Sequence, residues 1–289
     1  MRFYAAAVYV FLYAPIALIV LFSFNAGRSG LTFVCCSTEW YGRTFANSFM
    51  VEALLNSLAI AGTSALLATV MGTMAALALQ RVRGVPRLIY DALTYIAIII
   101  PGIVIGISTL VALVTVFGAV NPILATIAGD SAQSQPRLSL GVGSVIAAHT
   151  LFTMALVIVV VRARIQGMDR SLIEASADLY ATPWRTFRQV TLPQIFPAVL
   201  SGFLLSFTFS FDDYLITTFN SGPASSTLPL WIFGQLRKTV TPETNAVATM
   251  MLAFTLGMLF VGQRMLTSQG RRRGPGQGMA GIITEQQDG

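Results

Sequence analysis

Asp212 and Asp213 stand side by side in an otherwise apolar run. Ionisable residues so placed are costly enough in a bilayer to mark a path for ions or protons. At helical spacing Asp213 shares a stripe with Ser206, Ser210 and Thr217, whereas Asp212 neighbours Thr208, Phe209 and Ile216. The stripe predicts that Asp213 offers a carboxylate to a passing cation while Asp212 holds a neighbouring helix or loop. The alternative is that both pair with arginine or backbone N–H groups at a subunit interface. Trp40, Tyr41, Tyr214 and Trp231 carry rings that either surround a cation through their π faces or anchor helix ends at the headgroup level. The single histidine, His149, reads as a hydrogen-bonded packing residue or as a gating group. Asp91 and Glu52 fall near the starts of apolar runs, where a helix dipole favours negative charge, and are taken as structural.

These residues are not the parts of an enzyme. A phosphate-cradling loop needs Gly-Lys-Ser/Thr, and the only lysine, Lys238, follows Arg237 instead. No His, Cys, Asp or Glu cluster has metal-ligand spacing, so no cofactor is expected on this chain. Cys35 and Cys36 are adjacent, and neighbours this close rarely bridge, so neither a staple nor a redox centre is expected.

The elements that must position such residues are apolar. The 289 residues are 55% hydrophobic and only 10% charged, with mean hydropathy +0.71. A soluble chain carries about 25% charged residues, so a polytopic membrane protein is expected. Six runs long enough to cross a bilayer occur at about 3–24, 53–79, 88–117, 140–161, 196–219 and 245–266. The first is longer than the apolar core of a signal peptide and is read as a retained helix. The third contains Pro101-Gly102, which predicts a kink or a short break. Lys and Arg near span ends set orientation. Only Arg28, Arg43, Arg137, Arg237 and Lys238 of the eighteen cationic residues fall opposite the amino terminus, so both termini are expected in the cytoplasm. Topology and anionic lipid then account for the net charge of +6 without any nucleic acid.

The connection between the fourth and fifth spans, 167–193, is polar and long. Asp169 can cap one short helix, and Thr182-Pro183 can open a second. Leu172, Ala175, Ser176 and Leu179 share a face suited to docking in a partner's groove. Glu174, Ala175, Ala181, Phe187, Val190, Leu192 and Pro193 stand at the spacing of the EAA loop of ABC importer permeases, which this segment resembles; Ser176 replaces the third member of the motif. Tyr180 stands where the family usually has glycine. A left-handed helix end suits glycine, so tyrosine there implies about 1 kcal/mol of strain or a different turn. Arg162 to Gly167, Ser210 to Asp213, Asn220 to Pro223, Leu228 to Leu230, Thr241 to Ala246, Trp40-Tyr41 and Asn56 to Leu58 extend the likeness. Together they resemble the spermidine/putrescine permease subunits of the PotC/PotI type, over most of the chain outside 119–139 and the tail.

That resemblance implies an all-α membrane protein with six transmembrane helices and the type I ABC importer permease fold, in a prokaryotic inner membrane. It implies a second homologous permease as partner in a heterodimer, an ABC ATPase dimer carrying ATP and Mg, an external substrate-binding protein and a polyamine cargo. Glu174, Ala175, Ser176, Leu179, Tyr180, Ala181, Phe187 and Pro193 would couple to the ATPase. Asp213, Asp212, Ser210, Ser206, Thr217, Trp40, Tyr41 and Tyr214 would line the substrate pathway. The chain divides into a first helix and external loop (1–52), a core with the coupling loop (53–266) and a cytoplasmic tail (267–289). Two rivals stand: an ABC permease for ferric ion or thiamine, and a proton-coupled secondary transporter using Asp212 or Asp213.

Overall fold

A computed structural model describes residues 2–30, 32–128, 137–169 and 171–272. The chain is helical: α1 Arg2–Ser23, α2 Glu39–Ala46, α3 Ser48–Ala78, α4 Val85–Ile99, α5 Gly102–Ala128, α6 Val142–Gln166, α7 Ser171–Asp178, α8 Pro183–Thr186, α9 Leu192–Phe211, α10 Leu215–Asn220, α11 Leu228–Leu236 and α12 Pro242–Arg272. A π-helical turn, Phe187–Thr191, joins α8 to α9. Among the described residues six helical stretches are long and apolar enough to cross a membrane: Phe3–Ser23, Ser48–Ala78, Gly102–Ile127, Val142–Gln166, Pro183–Phe211 and Pro242–Arg264. α12 continues past the expected end of the last span, and the rest of the expected tail, 273–289, lies outside the described residues.

The core is the packing of α3, α6 and α9. Lipid tails are as apolar as leucine, so close van der Waals contact and interhelical hydrogen bonds must hold such helices together. The sequence supplies small residues for that purpose: Ala53, Ala61, Ala65, Ala68, Gly72 and Ala76 are buried along one side of α3. Gly72 lets the backbones close up, since a Cβ there would press on Val157 and the Met154 carbonyl. Toward the opposite end, Met50, Phe211, Leu228, Ile232 and Val247 join α3, α9, α11 and α12 in a second apolar cluster.

Two expected spans are broken. The third is interrupted at Ile100-Pro101, as Pro-Gly predicts, since proline cannot donate the next helical hydrogen bond. Its two pieces run along α6: Asp91 meets Arg162 near one end, and Ile105 packs on Ala148 near the other. The fifth does not run unbroken to Phe219. α9 stops at Phe211, and α10 restarts at Leu215 after Asp212, Asp213 and Tyr214. Asp213 causes the restart, because its carboxylate takes the Thr217 N–H at 2.9 Å and so satisfies an amide left free at the start of α10.

One expectation is corrected outright. Cys35 and Cys36 are joined as a vicinal disulfide in the extended stretch before α2. The bond closes a small ring between neighbours, so it ties no two elements together.

Candidate functional site

Two regions carry the residues singled out by the sequence. The first is the elbow of α7 and α8. Asp169 opens it, its carboxylate accepting the Ser171 N–H at 2.9 Å. The Ser171 hydroxyl and amide hold the Asp169 carboxyl below its usual range. Thr182 caps α8, accepting the Arg185 N–H, with Pro183 at the first helical position. Between them the chain turns on Tyr180, whose φ is +57°. The Tyr180 N–H donates to the Ala177 carbonyl at 2.9 Å and the Ala181 N–H to the Ser176 carbonyl at 3.0 Å. This is the paired Schellman closure of a helix end, in which the left-handed residue is usually glycine. The turn therefore keeps its shape and tyrosine bears the strain.

The elbow's apolar face divides. Ser176 is buried, with its hydroxyl 3.0 Å from that of Thr186, and so ties α7 to α8. Leu172, Leu179, Tyr180 and Trp184 point outward, Leu179 82% and Tyr180 96% exposed. Glu174, Ala175 and Pro193 are exposed as well, while Ala181 and Phe187 are half-buried and Trp184 stacks on Phe187. Behind the elbow lies a cleft of about 700 Å³, between it and the end of α3, lined by Leu77, Arg81, Ile173, Ala177 and Phe187. Arg164 Nε donates to the Gln194 carbonyl at 2.9 Å and fixes the end of α6 to the start of α9, so both helices frame the elbow.

The second region is the break between α9 and α10. His149, 1% exposed, is its hub. Its Nδ1 lies 2.7 Å from Ser210 Oγ, and its Nε2 lies 3.1 Å from Thr217 Oγ1 and 3.3 Å from Asp213 Oδ2. Both ring nitrogens therefore have a hydroxyl partner, and the direction of each bond follows the tautomer of the ring. Ser210 also touches Ser64 Oγ at 2.8 Å, which ties α3 to α6, α9 and α10 through one buried chain of polar groups. Ser206 is buried one turn away, donating to the Thr153 carbonyl at 3.4 Å.

Thus Ser206, Ser210, Thr217 and Asp213 lie together, although the helix that was to align them is broken. The two aspartates diverge. Asp213 turns to His149 with its side chain 18% exposed, whereas Asp212 is exposed and takes a single long bond, 3.4 Å, from Thr255 on α12. Tyr214 stacks on Phe233 at 4.1 Å and so joins the break to α11. Trp40 and Tyr41 are turned to the end of α1: Trp40 Nε1 donates to the Asn25 carbonyl at 2.7 Å, and the Tyr41 and Ser23 hydroxyls lie 2.7 Å apart. His149 is a buried, hydrogen-bonded packing residue, one of the two readings its sequence position offered; its particular partners and the part played by Ser64 were not foreseen. The available signal was the rule that intramembrane ionisable residues pair with one another.

A family described as binding-protein-dependent transport system inner membrane component matches residues 68–274. The spermidine/putrescine transport system permease protein PotC of Haemophilus influenzae is 37% identical over 256 residues, 89% of this chain and 92% of that protein. The putrescine transport system permease protein PotI of Escherichia coli K12 is 37% identical over 247 residues, 84% and 82% of the two chains. Among solved structures, a bacterial ABC transporter that imports the acidic polysaccharide alginate superposes with a TM-score of 0.67 at 18% identity, covering 94% of each chain. The MetNI methionine ABC transporter in an inward-facing conformation gives 0.55 at 18% identity, over 76% of this chain and 95% of that one. At such identities the structures speak for the fold alone. The sequence relatives and the family match go further: the chain belongs to the binding-protein-dependent transport inner membrane components, as a multi-pass permease subunit with the ABC importer fold and not an ATPase.

Proposed function

We propose that this chain is one permease subunit of an ATP-driven importer that takes spermidine or putrescine from an external binding protein. A second homologous permease completes the path, and a dimer of ATPase subunits holding ATP and Mg drives it. The relatives named for these polyamines support the cargo, and the cationic bias of the loops supports an orientation with the elbow and both termini in the cytoplasm.

The observation that carries the reading is the elbow itself. It presents Leu179, Tyr180 and Trp184 to solvent on a frame closed by the Schellman turn, the Thr182 cap and the Ser176–Thr186 contact. Apolar side chains held outward on a rigid joint suit a groove on another protein. Closure of the ATPase dimer then moves the elbow as one piece, and α6 and α9, joined through Arg164, rock with it. Such a shift needs ligands that bind the two states differently, and ATP and the loaded binding protein are those ligands.

The geometry favours Asp212 as the carboxylate that meets an ammonium group of the cargo. Asp213 is engaged by His149 and Thr217 and serves in this proposal to hold the break, the opposite division from the one helical periodicity suggests. Uptake by reconstituted complex decides between them: Asp212→Asn is expected to reduce polyamine transport with the complex intact, and Asp213→Asn to reduce it less. The opposite ranking would restore the periodicity-based assignment. A proton-coupled transporter would use the His149–Asp213 pair as its relay, and its uptake would collapse with an uncoupler while ATP remained.

A further inference from the structure

Asp91 and Glu52 look alike in sequence, but the structure separates them. Asp91 is held by Arg162 through both carboxylate oxygens, one of the two bonds being 3.0 Å. Among the described residues the Glu52 side chain has no hydrogen bond or ion pair. It opens instead into a cleft of about 630 Å³ between the start of α3, the turn after α10 and α11.

The walls of this cleft are fixed. Asn56 Nδ2 donates to the Ala224 and Ser226 carbonyls at 3.1 Å each, and the Leu228 N–H donates to Ser57 Oγ at 2.7 Å. Ala224 is itself held in the left-handed region, φ +58°, a conformation that costs a non-glycine residue about 1 kcal/mol. Asn47 caps α3 by accepting the Met50 N–H and donates to Glu243 Oε1 at 3.3 Å. Around Glu52 stand the rings of Phe49 and Trp231, the amide of Gln235 and the chain's only lysine, Lys238. The Lys238 ammonium likewise has no hydrogen bond or ion pair among the described residues.

A free carboxylate beside two aromatic rings and an amide oxygen is the acceptor set of an alkylammonium ion. The lysine supplies an opposing charge in the same space. Passage through a membrane protein needs sites that attract an ion enough to enter and hold it weakly enough to leave. Carboxylate and ammonium lining one cleft satisfy both conditions.

We infer that this cleft is an accessory cation site at which Glu52 takes one ammonium group of a linear polyamine, with Lys238 as a built-in competitor that keeps the hold weak. The inference rests on the polyamine reading above and adds a residue that this reading does not use.

The test measures binding of radiolabelled spermidine to the whole purified importer without its binding protein, and then ATP-driven uptake with it. Glu52→Gln is expected to weaken spermidine binding about five-fold, equivalent to ~1 kcal/mol, and to slow uptake. Lys238→Gln is expected to tighten binding by a similar factor. The opposite signs carry the proposal. If both substitutions leave spermidine binding unchanged and both weaken the response to the binding protein, the cleft is a protein-docking surface and the proposal is overturned. Unchanged binding and unchanged uptake in both variants overturn it as well. A wild-type complex that couples ATP hydrolysis to a loaded binding protein yet never moves polyamine removes the proposed function itself, and this site with it.

Discussion

Replacing Asp213 with alanine strips one carboxylate from the Thr217 N–H at 2.9 Å, from the Thr217 hydroxyl at 3.2 Å and from beside His149 Nε2 at 3.3 Å. Loss of a helix-start acceptor costs about 1 kcal/mol. A buried donor left without a partner costs about 1–3 kcal/mol, although hydrogen bonds between membrane helices average only about 0.6 kcal/mol. His149 is 1% exposed and has Thr217 Oγ1 as a remaining neighbour at 3.1 Å, so the lower half of that range applies. The expected loss is about 2 kcal/mol for Asp213→Ala, and under about 1 kcal/mol for Asp213→Asn, which keeps an acceptor oxygen. Reversible unfolding of the permease in mixed micelles reads both values. A cycle with His149→Ala isolates the pair, with an expected coupling of about 0.6–1.7 kcal/mol. Additivity of the two alanine substitutions within ~0.3 kcal/mol would refute the idea that His149 and Asp213 act as one latch.

Two further outcomes follow from backbone geometry. Tyr180→Gly relieves a left-handed residue and is expected to stabilise the end of α7 by about 1 kcal/mol, read as slower amide exchange at Tyr180 and Ala181; faster exchange would show that the tyrosine ring, and not the turn, holds the elbow. Gly222→Ala places a Cβ on the Leu140 carbonyl, backbone that cannot rotate away. It is expected to lower the thermal midpoint of the complex by several degrees, a destabilisation of about 1–3 kcal/mol, and an unshifted midpoint would mean that the 137–141 segment gives way freely.

Hydropathy made the six crossings readable, because a bilayer demands about 20 apolar residues whatever the fold. Pro101-Gly102 marked the break in the third, and Asp169 and Thr182-Pro183 marked the starts of α7 and α8, since these signals act within a few residues of themselves. Tyr180 could be read for the same reason as either strained or in a different turn, and the structure has the strained left-handed residue. The break at Asp212–Tyr214 was not, because apolar and small residues continue on both sides, and the Asp213 carboxylate that closes the start of α10 lies against His149, sixty-four positions earlier in the chain. The inward turn of Ser176 depends on Thr186, and the contrast between a paired Asp91 and a Glu52 without a partner among the described residues depends on Arg162 in another helix. Periodicity reports which face a residue shares. It does not report what stands opposite.

The most direct measurement concerns the elbow. Leu179, 82% exposed at the helix end, is replaced by aspartate, which leaves the Schellman turn and the caps in place and puts a charge on the outward apolar face. Proteoliposomes holding the complete importer are given ATP inside and binding protein with spermidine outside. The account predicts that wild-type vesicles accumulate spermidine only with ATP, and that Leu179→Asp abolishes uptake and the binding-protein stimulation of ATP hydrolysis while the permease itself stays folded. Uptake at the wild-type rate in Leu179→Asp vesicles, or accumulation driven by a proton gradient without ATP, would contradict it.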